Sequence, residues 1–258
     1  MTKLEEIYKY REMIVSLVQR DLKGRYKNSM LGFFWSYLNP LLQLVVYTFV
    51  FSIVMRNNIE KFYLFLFVAL VPWMFFSTAL NTGAGCIVHQ ADMVKKIYFP
   101  REILPIVNVT SGFVNMLLSF VVVFAVLLIS GFGINLRVIW FLPVVMIIEY
   151  FLTLGMVFLV SSVTVYLRDI EYMLSILTLA WQFLTPVMYS IEMVPERYLT
   201  LYRLNPMTPI IEAYRSILYY KTMPNLLILL ESAGFAVFFM IIGVLVFEKL
   251  QRRFVEEL

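Results

Sequence analysis

Long apolar runs separated by short charged patches dominate the pattern of this chain. No Asp, Glu, Lys or Arg lies between Lys27 and Arg56, Lys61 and Asp92, Glu102 and Arg137, or Glu171 and Glu192. The run from Arg137 to Arg168 holds only Glu149, and the run from Lys221 to Glu248 holds only Glu231. A helix rises 1.5 Å per residue, so about 20 apolar residues cross roughly 30 Å of hydrocarbon. The six runs therefore predict six membrane-spanning helices. The stretch from Val194 to Lys221 is apolar in patches, but Arg203, Pro206, Pro209, Glu212 and Arg215 interrupt it. It reads as a re-entrant or interfacial helical segment on the outer face, between spans five and six. Glu212 and Arg215, three residues apart, are placed to pair there.

Ahead of the first run, Leu4, Ile7, Tyr8, Ile14, Val15, Val18 and Leu22 recur at helical spacing with Lys and Arg between them. That pattern predicts an amphipathic helix lying on the membrane surface. The first apolar run begins near Asn28, behind this charged segment, so no cleaved signal peptide is expected.

Composition agrees with a lipid solvent: 61% of the residues are hydrophobic and 15% charged, and the mean hydropathy is +0.82. With no soluble block anywhere, the 258 residues read as one membrane domain. It comprises the interfacial helix at 1–27, the six-span region at 28–250 and a tail at 251–258. The fold class expected is an all-α integral membrane protein. The net charge of +4 is explained by orientation rather than by nucleic acid, because the basic residues flank apolar runs and form no continuous stripe. With the N-terminus in the cytoplasm, the inner segments receive Lys3, Lys9, Arg11, Arg20, Lys23, Arg25, Lys27, Lys95, Lys96, Arg101, Arg168, Lys249, Arg252 and Arg253. The outer segments receive half as many: Arg56, Lys61, Arg137, Arg197, Arg203, Arg215 and Lys221. This bias puts both termini in the cytoplasm.

The residues available for chemistry are few. The three aspartates, Asp21, Asp92 and Asp169, form no close pair that would hold a metal and a sugar diphosphate. Cys86 and His89 share a helix face at most, too few ligands for a usual zinc set. No glycine is followed by lysine, so the phosphate-cradling GxxxxGK[ST] loop is missing and any ATP must be used by a partner. Glu149 lies midway along span four, where a carboxylate must face protein or water. A hydrogen-bonded carboxyl in the bundle is preferred there to a proton relay, since span four holds no second acid. Glu231 lies nearer the outer end of span six.

Two short inner loops, His89–Glu102 closed by Pro100 and the tighter Tyr166–Tyr172, are stiff enough to pass a rigid-body motion to the helices that they join. On composition alone their basic residues only fix topology.

Six segments stand out in order, beginning with Arg20-Asp-Leu-Lys-Gly-Arg-Tyr-Lys-Asn-Ser-Met-Leu-Gly-Phe-Phe-Trp-Ser-Tyr-Leu-Asn-Pro40, Val71-Pro-Trp-Met-Phe-Phe-Ser77 and Lys96-Ile-Tyr-Phe-Pro-Arg-Glu-Ile-Leu-Pro105. Leu167-Arg-Asp-Ile170, Leu184-Thr-Pro-Val-Met-Tyr189 and Leu204-Asn-Pro-Met-Thr-Pro209 follow. In these segments and their order the chain resembles the permeases of type-2 ABC exporters for polysaccharides. The resemblance implies an O-antigen, capsular or teichoic acid type of export in the bacterial cytoplasmic membrane. It implies a homodimer of this chain docked on two nucleotide-binding ATPase subunits, moving a lipid-linked polysaccharide. Cofactors are expected to be none in this chain, with ATP and Mg²⁺ on the partner subunit, and no catalytic or metal residue is expected. Contacts to the ATPase would come from Asp92, Lys95, Lys96, Tyr98, Arg101, Arg168 and Asp169, together with Arg20, Lys23 and Arg25 of the surface helix.

Aromatic residues make up 17% of the chain. Trp35, Tyr37, Trp73, Phe76, Trp181, Phe183 and Tyr189 are the candidates for a glycan path, because flat rings accept sugar faces without one hydrogen-bond pattern. Trp and Tyr also gather at lipid interfaces, and for any single ring that role or plain packing is preferred. Two other classes stay open: a secondary transporter, for which only Leu38-Asn-Pro40 and Leu204-Asn-Pro206 recur, and a membrane-embedded glycan-modifying enzyme, for which no acid–base pair stands out.

Overall fold

The structure is a computed structural model that describes residues 3–24, 30, 32–54 and 59–258. Arg25, Lys27 and Arg56, and the part of the first motif at 25–29 and 31, lie outside the described residues. Every regular element among those described is helical. In chain order they are α1 (Lys3–Lys9), α2 (Arg11–Gly24), α3 (Trp35–Thr48), α4 (Phe62–Ala84), α5 (Ala91–Lys96), α6 (Ile103–Ile129), α7 (Leu142–Thr164), α8 (Asp169–Phe183), α9 (Glu196–Arg203), α10 (Met207–Leu218), α11 (Leu226–Leu250) and α12 (Phe254–Glu257). A π-helical turn, Phe49–Val54, extends α3.

Five helical stretches are long and apolar enough to cross a bilayer: Trp35–Val54, Phe62–Ala84, Ile103–Ile129, Ile139–Thr164 and Leu226–Glu257. They fall in five of the six apolar runs, and the chain is an integral membrane protein. The remaining run, Glu171–Glu192, does not form one helix across its length. α8 has 15 residues, a reach of about 22 Å, and its last turn closes at Leu184 two residues before Pro186. Proline disfavours helical geometry at the residue before it, which favours ending the helix ahead of Thr185.

α4 is the centre of the molecule. Leu66, Val68, Ala69, Leu70 and Phe76 are wholly enclosed by α3, α6, α7, α8 and α10. Polar side chains tie these neighbours together inside the apolar bundle. Asn81 donates to Thr178 at 3.0 Å, joining α4 to α8, and Asn108 donates to Thr82 at 2.8 Å, joining α6 to α4.

α11 is apolar all round yet buries only Ser232, Ala236, Gly243 and Phe247, a narrow stripe laid along α7. The two backbones touch. A Cβ added at Gly243 would stand 2.1 Å from the Gly155 carbonyl oxygen, and one added at Gly155 would stand 2.5 Å from the Met240 nitrogen. Lipid tails give no hydrophobic drive for helix association, and close backbone approach through small residues supplies the dispersion contact instead.

α3 and α8 are sparsely enclosed. α3 buries Ser36, Pro40 and Leu44 and leaves Val45, Val46, Phe49 and Ile53 exposed. α8 buries Leu174 and Thr178 and leaves Met173, Ile176, Leu177 and Leu179 exposed. α2 lies against α6 through Leu17 and Val18.

Candidate functional site

At one end of the bundle the segment that follows α4 meets three other parts of the chain. Arg20 of α2 donates to the Gln90 side chain at 3.1 Å. His89 faces Glu171, at the start of α8, at 3.4 Å. Beyond α5, the Arg101 guanidinium donates to the Gln251 carbonyl, and the Gln251 amide donates to Glu102 at 2.9 Å. The Tyr166 hydroxyl donates to the Leu250 carbonyl at 2.8 Å, which secures the same end of α11 from the turn between α7 and α8. Tyr166 thus answers the Leu250 carbonyl at the end of α11, and Arg101 is a second donor to the Gln251 carbonyl, which already accepts from the Phe254 backbone.

α5 itself is held by Val94, which is buried, while Asp92, Lys95 and Lys96 point outward. Asp92 and Lys96 pair at 3.3 Å on its exposed side, an interaction of little energetic weight in water. Tyr98 is exposed and Phe99 is buried beneath it. Lys95, Lys96, Tyr98 and Arg101 line one cavity of about 730 Å³ together with Glu248 and Arg252. Arg168 and Asp169 are exposed on the other turn and do not line it. Lys23 is exposed on α2, and Arg25 lies outside the described residues. The arrangement presents a charged, relatively rigid surface rather than a catalytic centre.

At the opposite end, the turn after α8 is locked to the start of α10 by Asn205. Its Oδ1 accepts from the Trp181 indole at 2.8 Å and from the Met207 backbone at 3.0 Å. Its amide donates to Thr185 at 2.8 Å and to the Leu184 carbonyl at 3.1 Å. Arg215, 0% exposed, donates to the Val187 carbonyl at 2.7 Å and the Tyr189 carbonyl at 3.1 Å. The guanidinium lies 3.7 Å from the centroid of the Phe65 ring and pairs with Glu212 at 3.2 Å, as the spacing of the two residues predicts. The sequence motifs at 184–189 and 204–209 are thus two halves of one clasp. Their residues are polar partners of one another, which spacing alone did not reveal for Arg215.

The candidate path residues divide. Trp73 and Phe76 are 2% and 0% exposed, and neither presents a ring face outside the chain. Both rings are core residues, tilted to one another with centroids 5.6 Å apart, because α4 is encased. Trp181 is half-buried, edge-on to Phe76 at 5.3 Å. Tyr189 donates or accepts at 2.8 Å with Tyr202 and donates to the Phe183 carbonyl at 2.7 Å. Trp35, Phe183 and, in part, Tyr37 remain accessible on α3 and α8.

A protein-family model described as ABC-2 type transporter matches residues 12–219. The chain is 36% identical over 261 residues to the O-antigen export system permease protein RfbA of Myxococcus xanthus, covering 99% of this chain and 98% of that protein. It is 31% identical over 246 residues to RfbA of Klebsiella pneumoniae, covering 95% and 94%. It is 23% identical over 210 residues to the polysialic acid transport protein KpsM of Escherichia coli, covering 78% and 79%.

Proposed function

The chain belongs to the ABC-2 type transporter family, and on that premise we propose that it forms the glycan conduit of a homodimeric exporter coupled to two separate ATPase subunits. It is the transmembrane permease subunit of an ABC polysaccharide exporter, a multi-pass membrane protein and not itself an enzyme. The cargo in this reading is a lipid-linked polysaccharide of the O-antigen, capsular or teichoic acid type. ATP and Mg²⁺ belong to the partner.

Both termini face the cytoplasm in this reading, which makes the α5 end the inner end. α2 is the interfacial helix, α8 makes the fifth crossing with the turn that follows it, and α9–α10 re-enter from outside. One observation carries the ATPase contact: α2, the α5 segment, the start of α8 and the end of α11 are joined by the Arg20–Gln90, His89–Glu171 and Arg101–Gln251 contacts. A push on the α5 segment therefore reaches three other elements at once. The exposed apolar faces of α3 and α8 support a second copy as their neighbour, since a two-fold dimer forms a path too wide for one bundle.

The test is purification of the chain with its ATPase. Stable recovery of an ATPase whose hydrolysis responds to a lipid-linked glycan is the expected result. Transport driven by a proton gradient without nucleotide would overturn the reading in favour of a secondary transporter.

A further inference from the structure

On the flank of the bundle, α9, α10 and α11 enclose two adjoining cavities. One, of about 300 Å³, is lined by Arg203, Thr208, Glu212, Asn225 and Glu231 among others. The other, of about 510 Å³, is lined by Thr200, Arg203, Glu231, Gly234, Phe235 and Phe238. Arg203 and Glu231 line both, so the pair forms one bent groove with a guanidinium and a carboxylate at the bend.

Both side chains are exposed. Among the described residues Arg203 and Glu231 form no ion pair and no side-chain hydrogen bond. Thr208 is 3% exposed and its hydroxyl has no partner among the described residues, in a chain whose other buried hydroxyls mostly bond to a carbonyl one turn back. A buried hydroxyl without a partner is costly, and a ligand group is one way to satisfy it.

From the bend the groove changes character along α11. Gly234, Phe235 and Phe238 succeed Glu231, the last about 10 Å further along the axis at 1.5 Å per residue. At Gly234 an added Cβ would meet nothing within 4 Å, so the missing side chain leaves this part of the groove open.

We propose that this groove binds a bilayer phospholipid whose headgroup carries both a phosphate and a primary amine. Arg203 takes the phosphate, Glu231 takes the ammonium, and the acyl chains run over Phe235 and Phe238. Opposite charges held apart call for a ligand with both signs, and Glu212 and Glu231 disfavour a purely anionic headgroup. A trimethylated amine keeps the charge but donates no N–H bond, and so binds less well. The apolar arm gives a free glycan nothing to bind. The proposal rests on the outer placement of α9 and α10 given above, which sets the headgroup at the outer surface and the chains toward the midplane.

The experiment uses the intact permease–ATPase complex, purified in mild detergent and offered equal amounts of phosphatidylethanolamine, phosphatidylcholine and phosphatidylglycerol. Retained lipid is read by native mass spectrometry. Phosphatidylethanolamine is expected to dominate, and Glu231→Gln or Arg203→Gln to lower its retention about tenfold, the loss of one charge-assisted bond. Gly234→Leu puts a side chain into the apolar arm at a position where an added Cβ meets nothing within 4 Å, and is expected to lower retention as far. Retention unaltered in all three variants, preference for phosphatidylglycerol, or displacement of the lipid by a glycan fragment overturns the proposal. Orientation is tested apart, by a membrane-impermeant maleimide on Thr200→Cys in intact cells, where Cys86 is buried and does not report. Labelling only after the membrane is opened overturns the outer placement, whereas the lipid preference of the purified complex judges the groove.

Discussion

The Tyr214 hydroxyl donates a hydrogen bond of 2.6 Å to Oε2 of Glu149, with both side chains 0% exposed. The Tyr214 ring stacks on Phe120 at 5.7 Å, so one contact fastens α7 to α10 and α10 to α6. The other carboxyl oxygen, Oε1, has no partner. Tyr214→Phe strips the carboxyl of its remaining side-chain donor and is expected to cost about 1–3 kcal/mol, read as a fall in the unfolding temperature of the purified protein.

Glu149→Gln distinguishes a structural carboxyl from a proton carrier. The amide still accepts from Tyr214, so export is expected to stay near the native rate. A folded Glu149→Gln protein that fails to export would establish the relay instead.

The Asn205 clasp makes its own prediction. Trp181→Phe keeps an aromatic ring against Phe76 and removes the N–H that Asn205 accepts; it is expected to cost about 1 kcal/mol. Asn205→Ala releases Trp181, Thr185, Leu184 and Met207 together and is expected to cost several times more. Limited proteolysis between α8 and α10 reads the difference, and equal cleavage of the two variants contradicts it.

The charged end of the bundle separates coupling from stability. Lys95→Glu with Lys96→Glu alters exposed side chains and is expected to change stability by less than about 0.5 kcal/mol while lowering ATPase recovery in a pull-down. Arg101→Ala should do the opposite first: it frees the end of α11 and lowers the unfolding temperature.

Gly243→Leu is expected to abolish accumulation of the protein, because a side chain there must displace the α7 backbone. Gly234→Leu, earlier on the same helix, meets open space and is expected to accumulate normally. Quantitative blotting of membranes checks the pair.

The spanning helices were readable because a charge-free run of sufficient length has one stable fate in lipid. α8 was harder, since an apolar run does not state where its helix stops, and Pro186 outweighed hydropathy. Arg215 argued in the sequence against a crossing, yet it is fully enclosed. Its partners are carbonyls of Val187 and Tyr189, freed by a turn that only the folded chain brings near. The burial of Trp73 and Phe76 was hidden for a related reason: a buried ring and a lining ring look alike in an apolar run. The inner loops were legible as charged turns, but the Arg20–Gln90 and Arg101–Gln251 contacts span too much chain for any local pattern to announce.

The encasement of α4 also bears on how the protein is made. α10, part of its wall, follows α4 at a distance on the order of a hundred residues, so the ribosome delivers the centre long before its enclosure is complete. Until then Phe65 lacks Arg215 above it, and lipid must stand in for the missing side. A nascent chain stalled before Met207 would present that bare column to the quality-control proteases of the membrane.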